Sequence, residues 1–217
     1  MPGRVTVNIV SDTICPWCFV GKRRFESALA KAASVTAEVR WRPFFLDKSI
    51  PAAGVDKMAH YVKKFGQARV DSMLPMMKKV GEAEGIAFDY GGRIANTLAS
   101  HALLELAFQS GGAKQQDALC TALFKYYFEQ QGNLGDAAAL RGLCAAEGLA
   151  GEAVEGVLAG SSPLCQAVVQ EAEEWRQEYA ISGVPFFVIQ AEGKKPVLLS
   201  GAQDTHVLVA ALEKACA

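Results

Sequence analysis

The chain has 217 residues, of which 51% are hydrophobic, and carries 22 basic and 23 acidic side chains for a net charge of −1. A chain of that length can bury roughly 70% of the surface its unfolded form exposes, so folding requires neither a disulfide framework nor a structural metal. The balanced charge gives no electrostatic reason for nucleic acid or a membrane as the main partner, and no stretch approaches the ~18 apolar residues of a membrane span.

Arg4 to Val10 alternates apolar and polar residues and then turns through Ser11-Asp12-Thr13, which predicts a strand and a loop. From Cys15 the pattern becomes helical, with Phe19, Val20, Phe25, Ala28 and Leu29 as its apolar positions. Thr36 to Leu46 reads as a second strand that Pro43 ends or bulges. The opening is therefore a βαβ unit, whose connection should be right-handed.

From Asp56 to Tyr179 the signals are helical. Asp56–Lys64 and Gln67–Glu84 are amphipathic, and Pro75 is expected to kink or break the second. Asn96 predicts an N-cap for Thr97–Gln109, with Gly111-Gly112 as its stop. Helices over Gln115–Gln130, Asp136–Glu147, Glu152–Leu158 and Pro163–Tyr179 follow, without a fixed repeat period. Phe186–Ile189 and Pro196–Leu199 then form a hairpin around "QAEGKK", and Asp204 opens a last helix over Thr205–Lys214. The order βαβ, helical block, ββα predicts an α/β protein: a thioredoxin fold interrupted by a large all-helical insertion. The expected divisions are 1–52 for its N-terminal half, 53–178 for the insertion and 179–217 for its C-terminal half.

Six cysteines stand at 15, 18, 120, 144, 165 and 216. The N-terminal apolar run is too short and interrupted for a secretory signal, so a reducing, cytoplasmic compartment is expected, with the cysteines as thiols. Cys120, Cys144 and Cys165 lie in Ala-rich helical sequence and read as small buried hydrophobes, while Cys216 reads as an exposed thiol. Cys15-Pro16-Trp17-Cys18 is different, because it sits between a strand and a helix inside a βαβ unit. At a helix N-terminus the unpaired N–H groups and the dipole favour the thiolate of Cys15, the attacking species. Cys18 follows one turn later on the same face and can resolve a mixed disulfide. Pro16 fits the first helical turn without removing a needed donor. The other reading of such a pair is half of a zinc site, but no second pair supplies the remaining ligands, so no metal is expected.

Gly183-Val184-Pro185 before a strand is the second signal. A proline opening an interior strand makes sense if the Val184–Pro185 bond is cis and the loop faces the cysteines. Val184 would then offer its backbone to an extended peptide or to glutathione. His101 follows Thr97 by one turn, either as a core histidine bonded to backbone or as a group near the dithiol. His60 and His206 read as surface residues. Met73, Met76 and Met77 form either ordinary core or an adaptable apolar wall for peptide substrates. Trp41, Phe44 and Phe45 read as core.

The stretches "SDTICPWCFVGKRRFESAL", "VRWRPFFLD", "GEAEGIAF", "NTLASHALLELA", "ISGVPFFVI" and "SGAQ" occur in this order along nearly the whole chain. Together they resemble the DsbA-like thioredoxin family, and most closely its cytosolic FrnE-type branch. The resemblance implies disulfide oxidoreductase or isomerase activity through Cys15 and Cys18, with Pro16 and Trp17 completing the motif, on disulfide-containing proteins or peptides. It implies no bound cofactor, with glutathione a candidate co-substrate. Pro185 matches the family's cis-proline, and Asn96, Thr97 and His101 match a segment that faces the dithiol in such folds. Ala102 departs from the basic residue that family members often carry there. A second reading is a glutathione-dependent isomerase or transferase, similar to hydroxychromene-carboxylate isomerases and kappa-class transferases, which typically have serine at the position of Cys15. A third is a non-catalytic chaperone or binding protein whose cysteine pair acts as a redox switch.

Overall fold

The computed structural model describes residues 3–217. Strand β1 (Gly3–Ser11) runs into helix α1 (Pro16–Lys31) and returns through β2 (Val35–Pro43), which pairs with β1 in parallel from Gly3↔Val35 to Ser11↔Pro43. Pro43 ends the strand, where its missing N–H is harmless. Strand β1 is central: Val5, Val7, Ile9 and Val10 are all buried, as a strand flanked on both edges requires.

The helical block follows. It contains α2 (Lys57–Phe65), α3 (Gln67–Ala83), α4 (Leu98–Glu129), α5 (Ala137–Ala146), α6 (Glu152–Leu158) and α7 (Pro163–Glu178). A two-residue antiparallel pair, β3 (Val55–Asp56) with β4 (Arg93–Ile94), lies within it and has no counterpart in the sequence pattern, being too short to show alternation. Strands β5 (Phe186–Ala191) and β6 (Val197–Ser200) then complete a sheet of order β2-β1-β5-β6, with β5 antiparallel to both neighbours. Helix α8 (Thr205–Cys216) closes the chain against α1, while α4 packs on β2 and α7. This is the thioredoxin-like α/β fold with a helical insertion.

Helix α3 continues through Pro75 instead of breaking there. Pro75 and Asp71 are both exposed, so the carbonyl that loses its i+4 donor can be solvated by water. Helix α4 is interrupted at Gly111 and Gly112, and Gly112 adopts φ 69°, ψ −161°, which favours glycine. Asn96 is not the N-cap itself: Thr97 holds that place without a side-chain cap, and Asn96 Oδ1 accepts the Leu98 N–H from one residue upstream at 2.8 Å. Cys120, Cys144 and Cys165 are buried, and Cys216 is half-buried rather than exposed, because its side chain packs where a Cβ on Gly3 would stand.

An aromatic cluster joins α1 to the helical block. The Phe19 ring stacks on Phe124 with centroids 5.1 Å apart, and Phe128 meets Phe88 edge-on at 5.3 Å. Phe19 is the residue after Cys18, so this cluster fixes the dithiol helix against α4. Phe124→Ala is expected to cost about 3–5 kcal/mol of unfolding free energy, read from urea denaturation of the reduced protein.

Lys57 is a buried cation in the same region. It is fully buried, with Nζ 3.2 Å from the Tyr127 carbonyl oxygen and 3.9 Å from the Tyr127 ring centroid. Burial lowers its pKa to about 8. The unfolded chain therefore binds more protons than the folded one between pH ~8 and the free lysine value of about 10.4, so this residue makes stability rise with pH across that window. The difference in unfolding free energy, wild type minus Lys57→Met, is expected to increase by about 2 kcal/mol from pH 7.5 to 10; a flat difference would contradict the burial of the charge.

Candidate active site

The loop from β1 delivers Cys15 to the end of α1. Cys15 takes the N-cap position with φ −90° and ψ 114°, Pro16 follows at the first helical position, and the first turn carries no acidic side chain. The Cys15 carbonyl accepts the Cys18 N–H at 3.0 Å, so the first turn is closed beneath the sulfur. The two cysteines differ in access: Cys15 is 5% exposed and Cys18 is 0%. Both are free thiols. Burial pushes the Cys18 thiol well up, aided by the neighbouring Cys15 and opposed by the Ser11 hydroxyl and the Asp12 backbone.

The loop before β5 faces Cys15 from the other side. The Val184–Pro185 bond is cis, and Cys15 Sγ lies 3.6 Å from the Val184 carbonyl oxygen. The Pro185 carbonyl oxygen accepts the Gly201 N–H at 2.8 Å, which ties the loop to the end of β6. Gly21 of α1 makes this approach feasible, since a Cβ there would stand 2.9 Å from Pro185 Cγ. Gly21 carries no signal in the sequence, because a glycine inside a helix points to close packing only when its partner is known.

Behind the cysteines lies a buried polar layer. Asp12 is fully buried and accepts the Leu46 N–H at 2.7 Å and the Ile14 N–H at 3.4 Å. His101 Nε2 lies 2.9 Å from the Phe44 carbonyl oxygen, so that nitrogen carries a proton, and 3.6 Å from Asp12 Oδ1. The Thr13 and Ser100 hydroxyls are 2.8 Å apart, and Ser100 donates to the Thr97 carbonyl at 2.9 Å. The start of α4 thus braces the cysteine loop from behind.

Of its two readings His101 takes the core one, buried and bonded to backbone. Thr97 is buried with its carbonyl on the Ser100 hydroxyl, and Asn96 uses its amide on the Lys48 carbonyl in the wall of a different cavity. None of the three lines the cavity onto which Cys15 opens.

That cavity has a volume of about 200 Å³, with Cys15, Pro16, Tyr61, Met73, Met77 and Tyr90 in its wall. Trp17, Leu46 and Phe65 stand at its edge and are 37%, 41% and 38% exposed. Met76 points away and is exposed. His60 is half-buried at the cavity edge rather than free on the surface, held with Lys64 by Asp47. Lys22, the cation nearest the motif in sequence, is buried and engaged by Asp117 at 2.6 Å and Glu26 at 2.8 Å. Tyr61 and Tyr90 carried no sequence signal, since only the packing of α2 and of the segment after α3 beside α1 brings them to Cys15. Among the described residues, no three His, Cys, Asp or Glu side chains gather as metal ligands.

Comparison with known proteins agrees with this architecture. Residues 6–213 match the family described as DSBA-like thioredoxin domain. The chain is 30% identical over 190 residues to the uncharacterized protein YwbO of Bacillus subtilis, covering 85% of this chain and 86% of that one. The crystal structure of the probable DsbA oxidoreductase SCO1869 from Streptomyces coelicolor superposes with a TM-score of 0.84 at 30% identity, covering 97% of this chain and 89% of that one. The cytosolic disulfide reductase DsbM from Pseudomonas aeruginosa shares the fold, with a TM-score of 0.68, 17% identity and coverage of 96% and 97%. With the family match spanning nearly its whole length, this chain belongs to the DsbA-like thioredoxin family of disulfide oxidoreductases.

Proposed function

We propose that the protein is a thiol–disulfide oxidoreductase that uses Cys15 as the attacking thiol and Cys18 as the resolving one. The observation that carries this reading is their unequal access: Cys15 opens on a cavity at a helix N-terminus, whereas Cys18 is sealed beneath it. The Cys15 thiolate attacks one sulfur of a substrate disulfide. That S–S bond breaks, a Cys15–substrate disulfide forms and the other substrate sulfur leaves as thiolate. Cys18, one turn along the helix, then loses its proton and attacks the Cys15 sulfur, releasing the second substrate thiolate. The substrate gains two electrons and the protein is left with a Cys15–Cys18 disulfide; run backwards, the same steps oxidise a dithiol.

The Val184 carbonyl, 3.6 Å from Cys15 Sγ, supports a role for this loop in holding the backbone of an extended substrate beside the reacting sulfur. Pro16 sets the first turn, and Trp17 flanks the mouth. Glutathione is the proposed small-molecule partner that resets the pair; DsbM, which shares the fold, has been solved with it. The proposed setting is the reducing cytoplasm, and among the described residues no helix is long and apolar enough to cross a membrane.

Cys15→Ser is expected to lower disulfide turnover more than 100-fold. Cys18→Ser should retain the first attack and accumulate a Cys15–substrate mixed disulfide, seen as a mass adduct under non-reducing conditions. Full activity in Cys15→Ser would overturn the mechanism. Full turnover with glutathione in Cys18→Ser would point instead to a single-thiol, glutathione-dependent enzyme.

A further inference from the structure

We propose that the cavity beside Cys15 is a side-chain pocket that selects peptide disulfides in which the reacting cysteine neighbours an aromatic residue, tyrosine above all. The inference rests on the dithiol reading and specifies its substrate.

Three observations converge on it. The first is size: a volume of about 200 Å³ accommodates one aromatic side chain, and drug-sized ligand pockets start at roughly 300 Å³. The rest of a substrate would therefore lie outside, over the exposed Trp17, Leu46 and Phe65 at the edge. The second is polarity: the wall around Cys15 is largely apolar, with Ile14, Met73, Met77 and Ile94, and the basic groups at its edge, Lys64 and His60, are already held by Asp47 at 2.9 and 3.7 Å. Such a wall favours an apolar substituent and gives the carboxylates of a glutathionyl group no free cation. Met73 and Met77 supply flexible, polarisable surface suited to a ring.

The third observation is an unmet polar group. Tyr90 is 5% exposed and lines the cavity, yet its hydroxyl has no hydrogen-bond partner among the described residues. Buried polar groups in native proteins are normally paired, so the Tyr90 hydroxyl has a hydrogen bond left to make with a polar group that enters beside it. A ring with a hydroxyl at its far end supplies both the apolar body and that partner. Burial also raises the Tyr90 pKa, so the phenol stays protonated and able to donate at any physiological pH. Among the described residues, three of the six exposed large hydrophobic side chains stand at this one mouth, which fits a surface meant to be covered by substrate.

The test uses the full-length reduced protein and symmetric disulfides of three capped peptides, Gly-Cys-Tyr, Gly-Cys-Phe and Gly-Cys-Ser, with glutathione disulfide and cystamine as references. The second-order rate of protein oxidation is read by acid quench, thiol alkylation and mass. The expected order is Tyr above Phe above Ser. Ring burial should give Phe about tenfold or more over Ser, and the hydroxyl contact a further roughly three- to tenfold. Glutathione disulfide should react more slowly than the Tyr peptide. In Tyr90→Phe the ratio of Tyr to Phe rates should fall to about one. Equal rates for the three peptides, or glutathione disulfide as the fastest, would overturn the pocket assignment while leaving the dithiol intact. Failure to react with every disulfide, cystamine included, would instead overturn the dithiol reading on which it rests.

Discussion

Strand β1 ends at Ser11 and helix α1 begins at Pro16, and the residues between them must bring a thiol to the helix end without stranding their own polar groups. The junction solves this with Asp12. Its buried carboxylate collects the N–H groups of Leu46 and Ile14, while its carbonyl takes the N–H of Cys15 at 3.0 Å. Cys15 can then occupy the N-cap, beside amides with no partner inside the helix. A proline directly after it costs nothing, because that N–H would have been unpaired anyway.

The remainder of the fold keeps that junction rigid. Helix α4 reaches behind it with Ser100 on Thr13 and His101 on the Phe44 carbonyl, and the Phe19–Phe124 stack holds α1 against α4 from within. Gly21 lets the loop carrying Pro185 come close to α1 on the far side. The result is a graded exposure along one helical turn: Cys15 opens on a cavity while Cys18 is covered. The helical insertion therefore contributes more than bulk, since α2, α3 and the segment around Tyr90 form the outer wall of that cavity.

The fold was readable because its signals are local. The alternation in Arg4–Val10, the helical spacing after Cys15 and the apolar runs at Phe186–Ile189 and Val197–Leu199 each specify an element, and their order implies the topology. Cys15 and Cys18 were readable because the chemistry needs two thiols one turn apart at a helix start, which is a sequence spacing. The side-chain roles of Asn96, Thr97 and His101 were not readable for the opposite reason: closeness to the dithiol in the fold says nothing about which way a side chain faces, and here Thr97 and His101 are buried while Asn96 bonds the Lys48 carbonyl. Tyr61, Tyr90 and Asp12 were missed because their roles arise from tertiary packing and from the lack or presence of a bonding partner, neither of which leaves a pattern in the chain. Pro75 shows the limit of a local rule, since solvent at Asp71 can take over the lost helical bond and α3 continues.

The central claim is that Cys15 and Cys18, alone among six cysteines, form the reversible redox pair. The direct measurement is equilibration of the protein across a series of reduced and oxidised glutathione ratios, followed by acid quench, alkylation and peptide mass. The account predicts a single two-electron transition confined to the peptide holding Cys15 and Cys18, with Cys120, Cys144 and Cys165 alkylated only after unfolding at every ratio. A peptide that keeps both thiols throughout the series, or a disulfide joining either cysteine to one of the other four, would contradict it.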